Sequence, residues 1–294
     1  MDLEAADLFN DGWAPSLSRA RHPARLRLAE LTAEGDDFDL SEAALLVAAE
    51  ERDLSVVGEG MDGLEALADE LRPHTLAATT PLARLEALIE HLFVDEGFLG
   101  NEDNYYDPRN SYLDHVLERR LGIPITLGVV VQEVGARVGV PLQGVGFPAH
   151  FLLRHARLPG VYVDPFHHGR LLSISDCKAL LERATRGRVP FRRDLLKPIS
   201  NRRIIIRMLN NLRAIHSGQG DVVRTLAALD RILMLAPASA SALKARGALL
   251  IEAGAVTRGL DDLETYLALA RGATDWLEVK RQMDQARRKL RQIN

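Results

Sequence analysis

Three side chains in the middle of the chain have the types and the order of a nucleophilic catalytic site. Thr126 lies at or near the start of a predicted helix, His150 lies in a β-rich run, and Asp164 lies in the next such run. A helix N-terminus presents free N–H groups and the positive end of the macrodipole, which favour a nucleophile or an anion. A histidine can take the proton of the nucleophile, and a carboxylate can orient the imidazole. We therefore predict a triad of Thr126, His150 and Asp164, either active or degenerate.

The surrounding pattern predicts the elements that would hold this triad. Apolar residues at helical spacing indicate a buried helix over 126–138, after Gly122 and Pro124. The runs PLQGVGF, HFLLRH and GVYVDPF are strand-like, and the last two read as a hairpin. Such a hairpin would bring His150 near Asp164.

The segment NEDNYYDPRN, before this helix, is polar, aromatic and interrupted by proline, and it could line a cleft. Asparagine and aspartate also bond their own backbone in turns, and paired tyrosines often pack with a wet hydroxyl, so a purely structural role stays open. The candidate cleft residues are Asn101, Asn104, Tyr105, Tyr106, Asp107 and Asn110.

Histidines are frequent around the triad, which raises the question of a metal. His150 and His155 differ by an odd number and would face opposite sides of one strand, and the adjacent His167 and His168 read as a turn. Their spacing, even with Asp164 included, matches no recognised metal motif. We expect no metal and no cofactor.

Cys177 is the only cysteine, so an intramolecular disulfide is excluded. It falls on a separate predicted helix after the strands, and we expect it to be a packing residue.

Composition describes a soluble globular protein, 47% hydrophobic and 27% charged. No apolar run approaches the roughly 20 residues that span a bilayer, and the acidic start MDLEAADLFNDGW does not resemble a signal peptide. These features predict a cytoplasmic protein without a membrane segment.

Charge is unevenly distributed along the chain. Residues 29–72 hold fourteen acids against two arginines, and residues 183–213 hold ten basic residues against one acid. The basic segment could receive an acidic partner, or the two segments could be solvated or mutually docking faces. Because no series of stacking aromatic residues interleaves the basic ones, Phe191 being the only aromatic residue among them, a nucleic-acid partner is not expected.

The end of the chain repeats with a period of 34 residues, the length of a tetratricopeptide repeat. Helical patterns also dominate residues 1–100. The positions that superimpose on this shift are Leu209 with Leu243, Gly220 with Gly254, Leu226 with Leu260, Leu229 with Leu263, Leu233 with Leu267, and Leu235 with Leu269. We predict a helical N-terminal extension over 1–100, a core over 101–190 and tetratricopeptide-like repeats over 199–294.

Longer motifs carry a family resemblance. The segments GFLGNEDNYYDPRNSYLDHVLERRLGIPITLG, GVPLQGVGFPAHFLLR and VDPFHHGRLLS closely resemble the transglutaminase-like core of bacterial SirB-type proteins. In that family a helical part and this core precede tetratricopeptide repeats, and a related core occurs in some eukaryotic F-box proteins. The resemblance implies an α+β fold, with a papain-like core, a small antiparallel sheet and a following all-α domain.

The chain departs from active transglutaminases where their nucleophilic cysteine is expected, because GIPITLG holds no cysteine and Thr126 is the nearest replacement. A threonine hydroxyl needs a strong adjacent base, whereas a thiol is partly ionised near neutral pH. The leading hypothesis is therefore a non-catalytic interaction protein that binds a protein or peptide through its repeats. The alternative is a specialised amide hydrolase or transamidase that uses Thr126, His150 and Asp164.

Overall fold

The computed structural model describes residues 22–293. The chain folds into two compact units. One is Glu30–Met208, and the other joins Leu209–Asn294 to the described part of Met1–Ala29. Within residues 22–293, no helix is both long and apolar enough to cross a membrane.

The unit Glu30–Met208 begins with helices. Asp39 caps the buried second helix by accepting the N–H of Glu42 at 2.9 Å, and Thr80 caps the fourth in the same way through Ala83 at 3.1 Å. The first helices of the described chain are α1 (Pro23–Ala33), α2 (Leu40–Ala49), α3 (Ser55–Ala77) and α4 (Pro81–Glu90). The part of α1 before Glu30 belongs to the other unit, and α4 continues as a π-helical turn over His91–Asp95.

Helix α3 continues through Gly58 and Gly60, where the sequence pattern indicates a break before MDGLEALADELR. A Cβ at Gly60 would overlap the Leu45 side chain, so the glycine allows α2 and α3 to approach closely. A helical glycine costs only about 1 kcal/mol relative to alanine. This packing outweighs that cost, and the helix remains continuous.

The middle of the unit positions the predicted site. Its elements are β1 (Leu99–Gly100), a 3-10 turn (Pro108–Ser111), α5 (Leu113–Arg119), β2 (Leu121–Gly122) and α6 (Pro124–Arg137), with β1 and β2 paired in parallel. Asp107 caps the 3-10 turn. The sequence offers Asn110 or Ser111 as the N-cap of the helix SYLDHVLERR, but both residues lie inside this turn, and α5 begins at Leu113. Helix α6 starts at Pro124, a favoured first position, and its first two turns are buried.

A four-stranded antiparallel sheet follows α6, in the order of the chain. Its strands are β3 (Leu142–Val145), β4 (Leu152–His155), β5 (Tyr162–Asp164) and β6 (Arg170–Leu172). The register pairs Leu153 with Val163 and Tyr162 with Leu172. The predicted hairpin is present as β4 and β5, while β6 arises from the segment read as a turn and its continuation.

Helix α7 (Ile174–Thr185) packs on this sheet and completes its core. Ser173 caps the helix, and Cys177 lies fully buried among residues of the sheet such as Leu152 and Tyr162. The position of Cys177 agrees with the packing role expected from the sequence.

The remaining chain is helical, apart from a 3-10 turn at Arg193–Leu196. The helices are α8 (Asn201–Gly218), α9 (Val222–Leu235), α10 (Ala240–Glu252), α11 (Val256–Leu269) and α12 (Trp276–Ile293). Gly247 and Gly259 allow α10 and α11 to touch, since a Cβ on either would come within 2.8 Å of the other's carbonyl oxygen. The α+β class predicted from the sequence is confirmed, and the finer domain bounds stay a prediction.

Candidate functional site

Thr126 is the third residue of α6 and is fully buried. Its hydroxyl oxygen lies 2.7 Å from the carbonyl of Asn110 and 3.2 Å from the carbonyl of Ile123, and it accepts the N–H of Ile123 at 3.2 Å. All of these partners are backbone groups. The hydroxyl therefore joins the start of the helix to the preceding loop, and it is not hydrogen-bonded to His150.

His150 lies in the loop before β4, not on the strand. The preceding residue, Ala149, has a φ of +58°, a left-handed conformation that costs free energy for a residue with a Cβ. The Nδ1 atom of His150 is buried and has no hydrogen-bond partner among the described residues. Burial lowers the pKa of His150, an effect that the Asp164 carboxylate opposes and that His167 reinforces.

Asp164, at the end of β5, bonds His167 and not His150. One carboxylate oxygen accepts Nδ1–H of His167 at 2.8 Å, and the other accepts the backbone N–H groups of Phe166 and His167 at 3.1 and 3.4 Å. The carboxylate is almost fully buried, while the His167 side chain is half exposed. The structure thus brings His150, Asp164 and His167 into one cluster, with the oriented imidazole being that of His167.

This cluster opens into a cleft of about 590 Å³ between the sheet and α7. His150, Asp164 and His167 line one side, and helix α7 contributes Asp176 and Arg183. Thr126 does not line this cleft, and neither do the six candidate residues of the loop. The cleft carries acids, histidines and arginines together, so it can bind a polar segment of either charge.

The loop asparagines form a closed hydrogen-bond network. Asn101 donates to the Asn110 side chain at 3.0 Å and accepts the N–H of Asn104 at 3.0 Å, while Asn110 donates to the Asn104 and Tyr105 carbonyls at 2.8 and 3.3 Å. Asp107 pairs with Arg109, which holds the pKa of the carboxyl below its usual range. Asn101, Asp107 and Asn110 are buried, so these contacts give them a loop-shaping role.

The tyrosines of the loop are available at the surface. Tyr105 is 40% exposed and Tyr106 is 72% exposed, and their rings meet edge to face at 5.4 Å. Phe166 stands 5.9 Å from the Tyr105 ring, and His167 stands 5.4 Å from Phe166. These four rings form a continuous aromatic row that ends at the histidine cluster.

Sequence reasoning did not select Arg207, in the first half of α8. Its guanidinium donates to the backbone carbonyl of His150 at 2.9 Å. Burial raises the pKa of Tyr105, and the charge of Arg207 opposes that shift. The basic composition of residues 183–213 was the only available signal, and it does not distinguish Arg207 from its neighbours.

Of the histidines considered for metal binding, His150 and His167 share the cluster with Asp164, whereas His155 and His168 do not line that cleft. His155 is buried, its Nδ1 accepts the N–H of Arg157 at 3.1 Å, and burial lowers its pKa. His168 is exposed with a φ of +53°.

One group of side chains elsewhere in the described part of the chain has its donor atoms close enough to hold a metal ion. It consists of Glu70, His91 and Glu96, within 4.8 Å of one another. Glu96 is already paired with Arg120 at 2.7 Å. Nothing in the sequence pattern selects this group, because Glu70 lies on α3 whereas His91 and Glu96 lie at the π-helical turn after α4.

Comparison with known proteins agrees with the two-part organisation. Residues 60–210 match the model of the transglutaminase-like superfamily, and residues 212–284 match that of the tetratricopeptide repeat. No solved structure matches the chain.

Several known proteins share long stretches of sequence with this chain. A UPF0162 protein of Xylella fastidiosa is 43% identical over 193 residues, which is 63% of this chain and 68% of that protein. A UPF0162 protein of Pseudomonas aeruginosa is 31% identical over 240 residues, 82% of this chain and 88% of that protein. Human F-box only protein 21 is 30% identical over 145 residues, 46% of this chain and 22% of that protein.

Proposed function

We propose a non-catalytic protein-interaction role for this chain, which belongs to the transglutaminase-like superfamily and, with the bacterial UPF0162 proteins, to one family. In this role the cleft beside His150 and Asp164 and the neighbouring aromatic row hold a segment of a partner protein. The tetratricopeptide repeats supply a second surface for the same partner.

The observation that carries the proposal is the state of the Thr126 hydroxyl. A nucleophile must reach its substrate and must pass its proton to a base. This hydroxyl is fully buried and its hydrogen bonds go to backbone groups, so it has neither access nor a base. Cys177 does not replace it, because burial raises the pKa of the thiol to about 12.

The accessible aromatic row supports binding. Tyrosine supplies a large contact area at low entropic cost, and it is enriched at interfaces because one end is apolar and the other is polar. The half-exposed His167, held by Asp164, gives the row a polar end. The name of the human relative, F-box only protein 21, also fits a role in handling other proteins.

A second candidate function, amide hydrolysis or transamidation, rests on His150. Its imidazole has a buried Nδ1 without a hydrogen-bond partner among the described residues, and it follows Ala149, whose φ is positive. Strained backbone and a depressed histidine pKa are found at catalytic sites. This function would require Thr126 to leave its backbone partners and turn toward His150.

The proposal extends to the finer assignments drawn from the sequence. These are a SirB-type protein, a cytoplasmic location, and domains over 1–100, 101–190 and 199–294. They rest on the motifs, the 34-residue repeat and the composition described above.

Complementation of a deletion strain separates the two functions. Thr126→Val removes the hydroxyl and Thr126→Ser keeps it, so an enzyme would work with serine and fail with valine. We expect both variants to restore the phenotype when expressed to equal folded levels. Loss of function in Thr126→Val alone, with normal abundance and circular dichroism, would overturn the interaction role.

A further inference from the structure

Three potential metal ligands meet where α3 passes the π-helical turn that continues α4. Glu70 on α3, and His91 and Glu96 at the turn, each present one donor atom, and these atoms lie within 4.8 Å of one another. The turn explains why two of the three meet. The N–H of Glu96 donates to the carbonyl of His91 at 2.9 Å, an i→i+5 bond, so the five-residue spacing closes one full turn. Single π turns of this kind are frequent at functional sites.

The histidine of this group is oriented as a metal ligand would be. His91 is only 8% exposed, and its Nε2 lies 3.1 Å from the backbone carbonyl of Leu67. Because a carbonyl only accepts, Nε2 carries the proton, and Nδ1 of the neutral imidazole keeps a lone pair. Nδ1 makes no hydrogen bond within residues 22–293, since the Asp95 carboxylate lies 3.8 Å from it. Metal-binding histidines share this arrangement, in which one nitrogen donates to a carbonyl or carboxylate and the other binds the ion.

The two glutamates supply the negative charge that a metal ion needs. Glu70 is exposed, so its side chain can close on an ion. One oxygen of Glu96 accepts a bond from Arg120 at 2.7 Å, and a carboxylate has a second oxygen for a metal. Carboxylates that bind metals are themselves hydrogen-bonded, so the contact with Arg120 fits a ligand held in place.

The cavity beside this group also favours a cation. Glu70 and Glu96 line a cavity of about 400 Å³, whose walls carry five carboxylates against two guanidinium groups. One of the five, Asp114, is 9% exposed and bonds Arg52 through a single oxygen at 2.7 Å. Its other oxygen, Oδ1, is buried without a hydrogen-bond partner among the described residues. A buried carboxylate oxygen without a donor is costly, and a nearby cation reduces that cost.

We propose that Glu70, His91 and Glu96 bind a divalent transition-metal ion, and that this ion is zinc. One imidazole with two carboxylates suits zinc, whereas calcium and magnesium take oxygen ligands. Three protein ligands leave a fourth position for a water molecule from the cavity. Zinc–ligand bonds of about 2.0–2.2 Å place the donor atoms closer than 4.8 Å, and movement of the exposed Glu70 side chain closes that gap.

The ion would tie α3 to the π-helical turn after α4. These elements are not those of the cleft beside His150, so the zinc site is independent of the proposed interaction role.

The test uses the untagged full-length protein, freed of metal with a chelator, and zinc chloride as the probe. Isothermal titration gives the dissociation constant. Thermal unfolding gives an independent reading, because an ion that binds only the folded state raises the Tm. We expect one zinc ion per chain at this site, a higher Tm with zinc, and weaker binding of magnesium chloride.

Glu70→Gln removes one charged ligand at an exposed position, so the variant should fold as the wild type does. Glu59→Gln is the matched control, because Glu59 is exposed on the same helix, lines the same cavity and loses the same charge. We expect Glu70→Gln to weaken zinc binding by at least about tenfold, the lower end of the loss caused by removing an outer-shell partner. Glu59→Gln should weaken zinc binding much less, and His91→Gln should weaken it at least as much as Glu70→Gln.

Three results would overturn the zinc site. The first is a wild type that shows no saturable zinc binding. The second is a Glu70→Gln variant with the affinity of the wild type, or with the same loss as Glu59→Gln, which would show that the charge of the cavity alone attracts the ion. The third is tighter binding of magnesium than of zinc, which would remove His91 from the ligands. Glu70→Gln decides the question even when His91→Gln does not fold.

Discussion

Replacement of Thr126 by valine is the perturbation that examines the site most closely, because valine keeps the shape of threonine and removes only the hydroxyl. The variant leaves the carbonyl of Asn110 and the N–H of Ile123 without the partner they have at 2.7 and 3.2 Å. Thr126 is fully buried, so water cannot replace the hydroxyl. A buried polar group without a hydrogen-bond partner costs about 1–3 kcal/mol. Because valine has the shape of threonine, the substitution leaves no cavity that would add to this cost.

We therefore expect Thr126→Val to lower the free energy of unfolding by about 1–3 kcal/mol, although the new side chain is more apolar. Thr126→Ser keeps the hydrogen bonds and removes one buried methyl group, which should lower the free energy of unfolding by about 0.5–1.5 kcal/mol. Urea unfolding followed by far-UV circular dichroism gives both values. The slope of the free energy of unfolding against urea concentration shows whether a variant also changes the unfolded state. Hydrogen exchange at the Ile123 amide should accelerate in the valine variant and not in the serine variant.

A Thr126→Val variant that is as stable as the wild type, and whose Ile123 amide is as protected from hydrogen exchange, would contradict this role of the hydroxyl. That result would mean that the hydroxyl is not held by the backbone and is free to turn toward His150. The hydrolase hypothesis would then regain its nucleophile.

Further predictions concern other groups of the molecule. The pKa of folded His150 lies below its ordinary value of 6.5, so the unfolded chain binds more protons near that pH. The stability that this shift contributes is therefore present above about pH 6.5 and is lost as the pH falls toward the folded pKa. The free energy of unfolding should depend less steeply on pH in His150→Gln than in the wild type, and an equal dependence would contradict this role of His150. Cys177 is buried with a pKa of about 12, so Ellman's reagent should find no thiol in the native protein and one after denaturation. Arg246→Met leaves Asp230 and Asp262 without their cation, so it should lower the free energy of unfolding by about 2–3 kcal/mol, less than for a fully buried pair because Arg246 is partly exposed. Arg287→Met breaks a more exposed pair and should change the free energy of unfolding by under about 0.5 kcal/mol. Urea unfolding measures both values.

Local signals made much of the fold predictable. The apolar spacing after Pro124 identified α6 and placed Thr126 at its start, and the two β-rich runs around the Pro159-Gly160 turn identified the hairpin of β4 and β5. The 34-residue period indicated the repeats, and residues 212–284 match the tetratricopeptide repeat model.

The parts that could not be predicted depend on contacts between distant segments. In the sequence, Gly60 indicates a break in the helix. In the structure the Leu45 side chain lies against it, and this contact between distant segments explains a glycine inside a continuous helix. The choice of His167 over His150 as the partner of Asp164 depends on the turn after β5, which also starts the unforeseen strand β6. Arg207 lies more than fifty residues from His150 in sequence, so only the folded chain brings them together.

The central claim is that the fold binds without transferring an acyl group, and a direct assay of acyl transfer tests it. Purified full-length protein is incubated with casein and dansylcadaverine, and in parallel with casein alone, beside an active transglutaminase as the positive control. Our account predicts no fluorescent casein, no casein cleavage and no acyl adduct on the protein by intact mass spectrometry. Incorporation, cleavage or an adduct that appears with the wild type and with Thr126→Ser, and disappears with Thr126→Val, would contradict it.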